Sequence, residues 1–217
     1  MNALEGELVI LCPDSAWPQA LDAILARPKS LGIRPIRWRC VPDPLHDSSP
    51  ESAELLRPFL GAYTHAMVIK DFEGSGWEER GVQAFHDSIL QQMVSTGWDR
   101  SACQVLIAEP ELESWLRLDS THMHRLLEER ARKNRAALAE WKTHLRTALE
   151  RNGGTHANGK AVRPKEVLRE VLSVYAIPPA NALFAFLAGR ESLKGCTVES
   201  FQQFVSFLRD HFPEEQD

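Results

Sequence analysis

The sequence predicts an α/β protein: a mostly parallel sheet of about four strands with helices on both faces, followed by an all-helical C-terminal annex. Three observations carry this. Short, uninterrupted apolar runs at 7–12 (ELVILC), 66–70 (AMVIK) and 103–108 (CQVLIA) have the length of strands buried on both faces. Between them lie segments with apolar residues at helical spacing, so strand and helix alternate through the first half. Beyond about residue 122 the strand-like runs stop and only helical spacing continues. The expected division is 1–122 for the sheet domain and 123–217 for a helical region packed on it, the two forming one compact unit.

Each element has its own justification. After ELVILC, Pro13, Asp14 and Ser15 break the strand, and a helix follows from Trp17 with Leu21, Ile24 and Leu25 on one face. In GIRPIRWRCVPDP, allowing for a break at Pro35, Ile33, Ile36, Trp38 and Cys40 alternate with arginines, a period-two strand near a sheet edge because of its prolines. SSPESAELLRPFLGAY reads as a helix opened by a serine cap and Pro50. Residues 78–95 read as a helix with Val82, Phe85, Ile89, Leu90 and Met93 on one side. From His124 to Arg151, Leu127, Leu138, Trp141, Leu145 and Leu149 keep helical spacing until Asn-Gly-Gly stops it. Pro164 opens another helix, with Val167, Leu168, Val171, Leu172 and Tyr175 inward. ANALFAFLAG and TVESFQQFVSFLRDHF are two further helices, and the tail PEEQD is expected to be disordered.

Composition narrows the function classes. Of 217 residues, 43% are apolar and 25% charged, as in a soluble globular protein. The longest apolar run, Ala182 to Ala188, falls far short of the roughly 20 residues a membrane span needs. With no basic leader ahead of an apolar block, the expectation is a cytoplasmic protein with no membrane partner. None of the four cysteines forms a C-x-x-C pair, so reduced thiols are expected. The net charge of −5 is uneven: residues 1–123 carry 10 Lys and Arg against 18 Asp and Glu, and residues 124–172 carry 12 against 6. Such a basic segment, here the stretch 125–169, suits a phosphate backbone, although a solvated helix face is the commoner reason for one.

Two acidic constellations stand where chemistry is expected. Open α/β sheets bind ligands outside the carboxyl ends of their strands. Asp71 and Glu73 follow one strand, and Asp14 follows another; together they offer the oxygen ligands a hard divalent cation takes. Helix capping is the plain alternative for Asp14. In AEPELESWLRLD, Glu109, Glu111 and Glu113 alternate just after a strand, closer together than helix-terminal acid requires. GTHANGKA, residues 154–161, nearly matches a P-loop, but Ala161 stands where a hydroxyl is needed and no strand precedes it. The segment LCPDSA lacks a glycine-rich phosphate turn, which disfavours a nucleotide-binding protein. Trp77, Trp98 and Trp115 lie near turns and are candidate docking aromatics.

The order of these motifs, an acid after strand one, KDFEG after a later strand, then PELESWL, resembles small bacterial Toprim-like proteins. RPKEVLREVL and SLKGCTVESFQQFVSFL look like the C-terminal part of defence-associated members, the small component of methylation-associated anti-phage defence systems. The resemblance implies a Toprim-like (Rossmann-like) sheet, Mg2+ or Mn2+, and nuclease-like phosphodiester chemistry on nucleic acid alongside other defence proteins. It implies metal ligation by Asp71, Glu73 and Glu113 and catalytic roles for Asp14, Glu111 and Glu113. Lys160, Arg163, Lys165 and Arg146 would hold the nucleic-acid backbone. Two departures stand out: Asp14 replaces the family's first-strand Glu, and Asp71-x-Glu73 replaces Asp-x-Asp. The alternative is therefore a catalytically inactive interaction or regulatory subunit of a defence complex.

Overall fold

The structure, a computed structural model, describes residues 4–44, 49–192 and 196–214. Its centre is a four-stranded, all-parallel sheet in the order β2–β1–β3–β4, formed by β1 (Gly6–Cys12), β2 (Trp38–Pro42), β3 (Tyr63–Asp71) and β4 (Cys103–Ala108). The register pairs Ile10 with Cys40 on one side and with Met67 on the other, and pairs Ile69 with Leu106. The class is the expected one, α/β with a parallel sheet.

Period-two alternation divides the strands between two cores. Leu8, Ile10, Met67, Ile69 and Leu106 face one side, where α1 (Ala16–Leu25) packs. Val9, Leu11, Val68, Val105 and Ile107 face the other, under the 3-10 helix Pro50–Phe59 and α3 (Val82–Ser95). The chain moves from β1 outward to β2, then from β3 outward to β4 in the opposite direction. Right-handed crossovers then place α1 and α3 on opposite faces.

The helical region completes the α1 face, and its described residues form no separate core. The helices α4 (Thr121–Arg130), α5 (Trp141–Arg151), α6 (Pro164–Val174), α7 (Asn181–Ala188) and α8 (Glu199–His211) place Leu127, Trp141, Val167, Leu183 and Phe204 in one apolar cluster with Leu8 and Met67. The short helix α2 (Pro28–Leu31) packs beside α8. Pro213 bridges back to Ile33 just before the N-terminal side of β2.

Four element expectations are corrected. The strand expected from Ile33 begins only at Trp38, so Ile33 and Ile36 lie before it. Residues 50–59 form a 3-10 helix, with Pro58 inside it lacking the N–H an α-turn needs. The helix expected over 78–95 begins only at Val82, because Gly81 at φ 85° breaks the turn before it. The spacing from His124 to Arg151 runs through two helices and a 3-10 segment, Arg135–Glu140. The break lies at residues 131–134, where the Arg132 and Lys133 amides donate to the Tyr175 carbonyl and Asn134 is left-handed. The last three residues of the expected disordered tail, and residues 193–195 of the C-terminal resemblance, lie outside the described residues. All four cysteines are free, as expected.

Candidate functional site

The sheet order reverses between β1 and β3, so the crevice beyond their carboxyl ends is the expected ligand position. A cavity of about 190 Å3 opens there. Asp14 from the end of β1, Asp71 from the last position of β3 and Glu113 from the segment after β4 all line it, opposite Lys165 and Arg169 of α6. Three acidic strand ends converge on one space.

Local structure explains each placement. Asp14 Oδ1 accepts the Ala16 and Trp17 amides at 2.7 and 3.3 Å, so it caps α1 while facing the cavity. Trp17 is fully buried and donates its indole N–H to Asp71 Oδ1 at 3.2 Å. The Phe72 and Glu73 amides donate to the Pro110 carbonyl, tying the end of β3 to the turn that carries the glutamates. That turn, a 3-10 segment Leu112–Trp115, is pinned by Trp115. The Trp115 ring meets Trp17 edge-on at 4.9 Å and Phe201 at 5.1 Å, and its indole N–H donates to Ser200 Oγ at 3.0 Å.

The electrostatics separate the acids. Burial pushes the Glu113 carboxyl up to about 7; Glu111 and Asp14 add to this, against the Glu113 amide and Lys165. Glu111 Oε2 accepts Lys165 Nζ at 2.5 Å, and its buried Oε1 has no partner. Burial raises the Glu111 carboxyl, and the repulsion of Glu166 and Glu73 adds to it against Lys165. Burial pulls the Lys165 ammonium down, but its bond to Glu111 and the charges of Glu113 and Asp71 reverse this and raise it.

The sequence candidates therefore sort into three groups. Asp14, Asp71, Glu113 and Lys165 meet in the cavity. Glu73 is exposed and lies outside the cavity lining, and Glu111 turns instead to Lys165. Lys160 points inward, its ammonium donating to the Leu116 carbonyl, whereas Arg146 and Arg163 are exposed. The docking aromatics are covered: Trp98 and Trp115 are buried, and the half-buried Trp77 stacks on Phe85.

Two cavity-related residues escaped sequence reasoning, Trp17 and Arg169. Arg169 had a signal, since Lys165, Leu168, Arg169 and Leu172 form the i, i+3, i+4, i+7 stripe of α6 that lines the cavity. A fully buried pair, Lys70 Nζ to Asp43 Oδ2 at 2.6 Å, joins the ends of β3 and β2.

The oxygen donors suit a hard cation, yet among the described residues no group of three or more His, Cys, Asp or Glu side chains is placed to hold a metal ion. One Asp14 oxygen is already spent on the α1 amides, and one Asp71 oxygen on Trp17.

The fold and cavity define an open parallel α/β protein with an acidic switch-point site faced by two basic side chains. No protein-family model matches the sequence, and comparison with curated proteins and with solved structures returns no match. Among the described residues no helix is long and apolar enough to cross a membrane.

Proposed function

We propose that this chain is a Toprim-like component of a bacterial anti-phage defence system that acts on nucleic-acid phosphodiesters with Mg2+ or Mn2+. The observation that carries the chemistry is the switch-point cavity, where Asp14, Asp71 and Glu113 face Lys165 and Arg169. The defence setting and the partner proteins rest on the resemblance of KDFEG, PELESWL and RPKEVLREVL to that family.

In this reading Lys165 and Arg169 receive the phosphate charge, Arg169 as a planar fork and Lys165 as a point charge. Glu113 moves the proton, because a carboxyl titrating near 7 exchanges protons readily at neutral pH. Asp71 is the cation ligand, and Asp14 contributes the oxygen not facing the α1 amides. Mg2+ commonly takes one or two carboxylates plus phosphate and water, so Asp71 and Asp14 would hold it together with a substrate phosphate. Once bound, it neutralises phosphate charge and activates water.

The experiment incubates labelled single- and double-stranded DNA and RNA with the protein in Mn2+ or Mg2+. Asp71→Asn and Glu113→Gln run alongside. Cleavage by wild type and a loss of about 100-fold or more in each variant is expected. Cleavage by either variant at the wild-type rate overturns the reading.

The second reading, a catalytically inactive interaction subunit, is favoured by one observation: the carboxylate replacing the first-strand Glu is engaged as a helix cap. Absence of cleavage by wild type, with a stable complex on co-purification from the native host, supports it.

A further inference from the structure

The two edges of the sheet are finished differently. The β4 edge is closed: Val105 is 1% exposed, its outward carbonyl accepts Gln104 Nε2 at 3.0 Å, and α3 and α8 pack against the strand. The β2 edge is open, and none of its residues is buried. The Arg37 carbonyl accepts the Glu7 amide at 2.8 Å, and the Asp43 amide donates to the Cys12 carbonyl at 2.7 Å. The odd-numbered positions of this segment therefore bond to β1, and Trp38 and Cys40 turn their N–H and C=O groups outward. Among the described residues no group bonds to those outward atoms. Such a row of unpaired groups is a template for a further strand. Pro42 has no N–H, which limits the ladder at that end.

The side chains fix which strand fits. Trp38 and Cys40 lie on the α1 face of the sheet. Asp22 of α1 accepts the Trp38 indole N–H at 2.7 Å, so that face already holds a carboxylate. Arg37 and Arg39, both exposed, stand on the other face. Arg39 stacks over Phe59, 5.1 Å from the ring centroid, and Arg37 Nη2 donates to the Leu4 carbonyl at 3.4 Å. Among the described residues neither arginine makes an ion pair; the neighbouring Glu7 pairs with Arg34 at 2.6 Å. A second copy of the chain would bring its own Arg37 and Arg39 to the same face, and like charges on neighbouring strands disfavour that pairing.

We propose that the β2 edge docks an extended segment of a partner protein as a fifth strand, with acidic side chains at every second position beside Arg37 and Arg39 and apolar ones between them beside Trp38 and Cys40. Main-chain bonds to Trp38 and Cys40 supply affinity, and the alternating side chains supply specificity. Opposite charges across the strand pair add to both. Arg37, Trp38, Arg39 and Cys40 lie outside the switch-point cavity, so the dock holds or fails independently of the phosphodiester reading.

The test titrates two capped peptides, Glu-Val-Glu-Ile-Glu-Val and Asp-Phe-Asp-Val-Asp-Phe, into the full-length protein and follows amide NMR shifts. At least one is expected to saturate with a Kd below about 1 mM, with the Trp38 and Cys40 amides shifting. The same peptide with Lys at its acidic positions should bind about tenfold weaker or worse. Two N-methylated versions separate strand addition from charge attraction: one blocks the amides of the acidic residues, the other those of the apolar residues. Only one set of amides can face β2, so one version should lose about tenfold and the other should bind like the parent. Arg37→Glu with Arg39→Glu should reverse the preference between acidic and Lys peptides. Failure of both acidic peptides to saturate overturns the proposal. So does equal binding by both N-methylated versions, equal binding by the Lys peptide, or a charge-swapped variant with unchanged preference. Tighter binding of single-stranded DNA at the same amides, or self-association of the protein through them, overturns it in favour of those occupants. If the charge-swapped variant does not fold, the N-methylated pair on the wild-type protein decides.

Discussion

Glu113 is 6% exposed and stands between like charges, which gives its proton an affinity unusual for a carboxyl. The folded chain holds that proton more tightly than the unfolded chain does. The stabilisation it provides is therefore whole at low pH and is lost as pH rises from about 4.5 to about 7. Glu113→Gln removes this dependence. The variant should gain stability over wild type as pH rises through that window, by up to about 3 kcal/mol at pH 8, read from urea midpoints of both proteins. A difference that stays constant from pH 4 to 8 refutes the raised proton affinity. Asp14 is placed by local structure: its capping bonds to Ala16 and Trp17 are what any acid before a helix makes, and its facing the cavity follows from where β1 ends.

At the scale of elements, the strand ends are cross-braced by polar pairs. Lys70 and Asp43 have fully buried side chains and join β3 to the end of β2 across β1, whose last carbonyl accepts the Asp43 amide at 2.7 Å. Replacing Asp43 with Asn removes a counter-charge from the fully buried Lys70 ammonium. Asp43→Asn is expected to destabilise by about 3 kcal/mol in urea unfolding. The double change Asp43→Asn with Lys70→Met should recover much of that loss, since a buried apolar side chain needs no counter-charge. Additive losses would refute the coupling. The 3-10 turn Leu112–Trp115 is braced differently, by rings: Trp115 wedged against Trp17 and Phe201 aims Glu113.

The molecule as a whole is built on a core that does not respect the boundary near residue 122. Leu8 and Met67 of the sheet share one cluster with Trp141, Val167 and Phe204 of the helices. Phe204 is fully buried, and Phe204→Ala is expected to cost about 3–5 kcal/mol. Because the cluster is shared, tryptophan fluorescence and far-UV circular dichroism should report one coincident transition in wild type and variant alike. Two separated transitions would show that sheet and helices unfold independently.

Strand identity, the parallel class and the helix faces were legible in the amino-acid order because they follow from local periodicity. The run CQVLIA forms β4 over its whole length, and Val167, Leu168, Val171 and Leu172 line the buried side of α6 as their spacing requires. The acidic strand ends were legible for the same reason, since an apolar run that stops at an acid marks a strand end. What those acids do was decided by the tertiary fold. Nothing local distinguishes Glu111, which turns to a lysine 54 positions away, from Glu113, which enters the cavity two residues later. Burial, raised proton affinity and the choice of partner are sums over groups far apart in the chain. So are the inward turn of Lys160 and the unpaired hydroxyl of Ser114, which exist only once α1, α5 and α8 close around them.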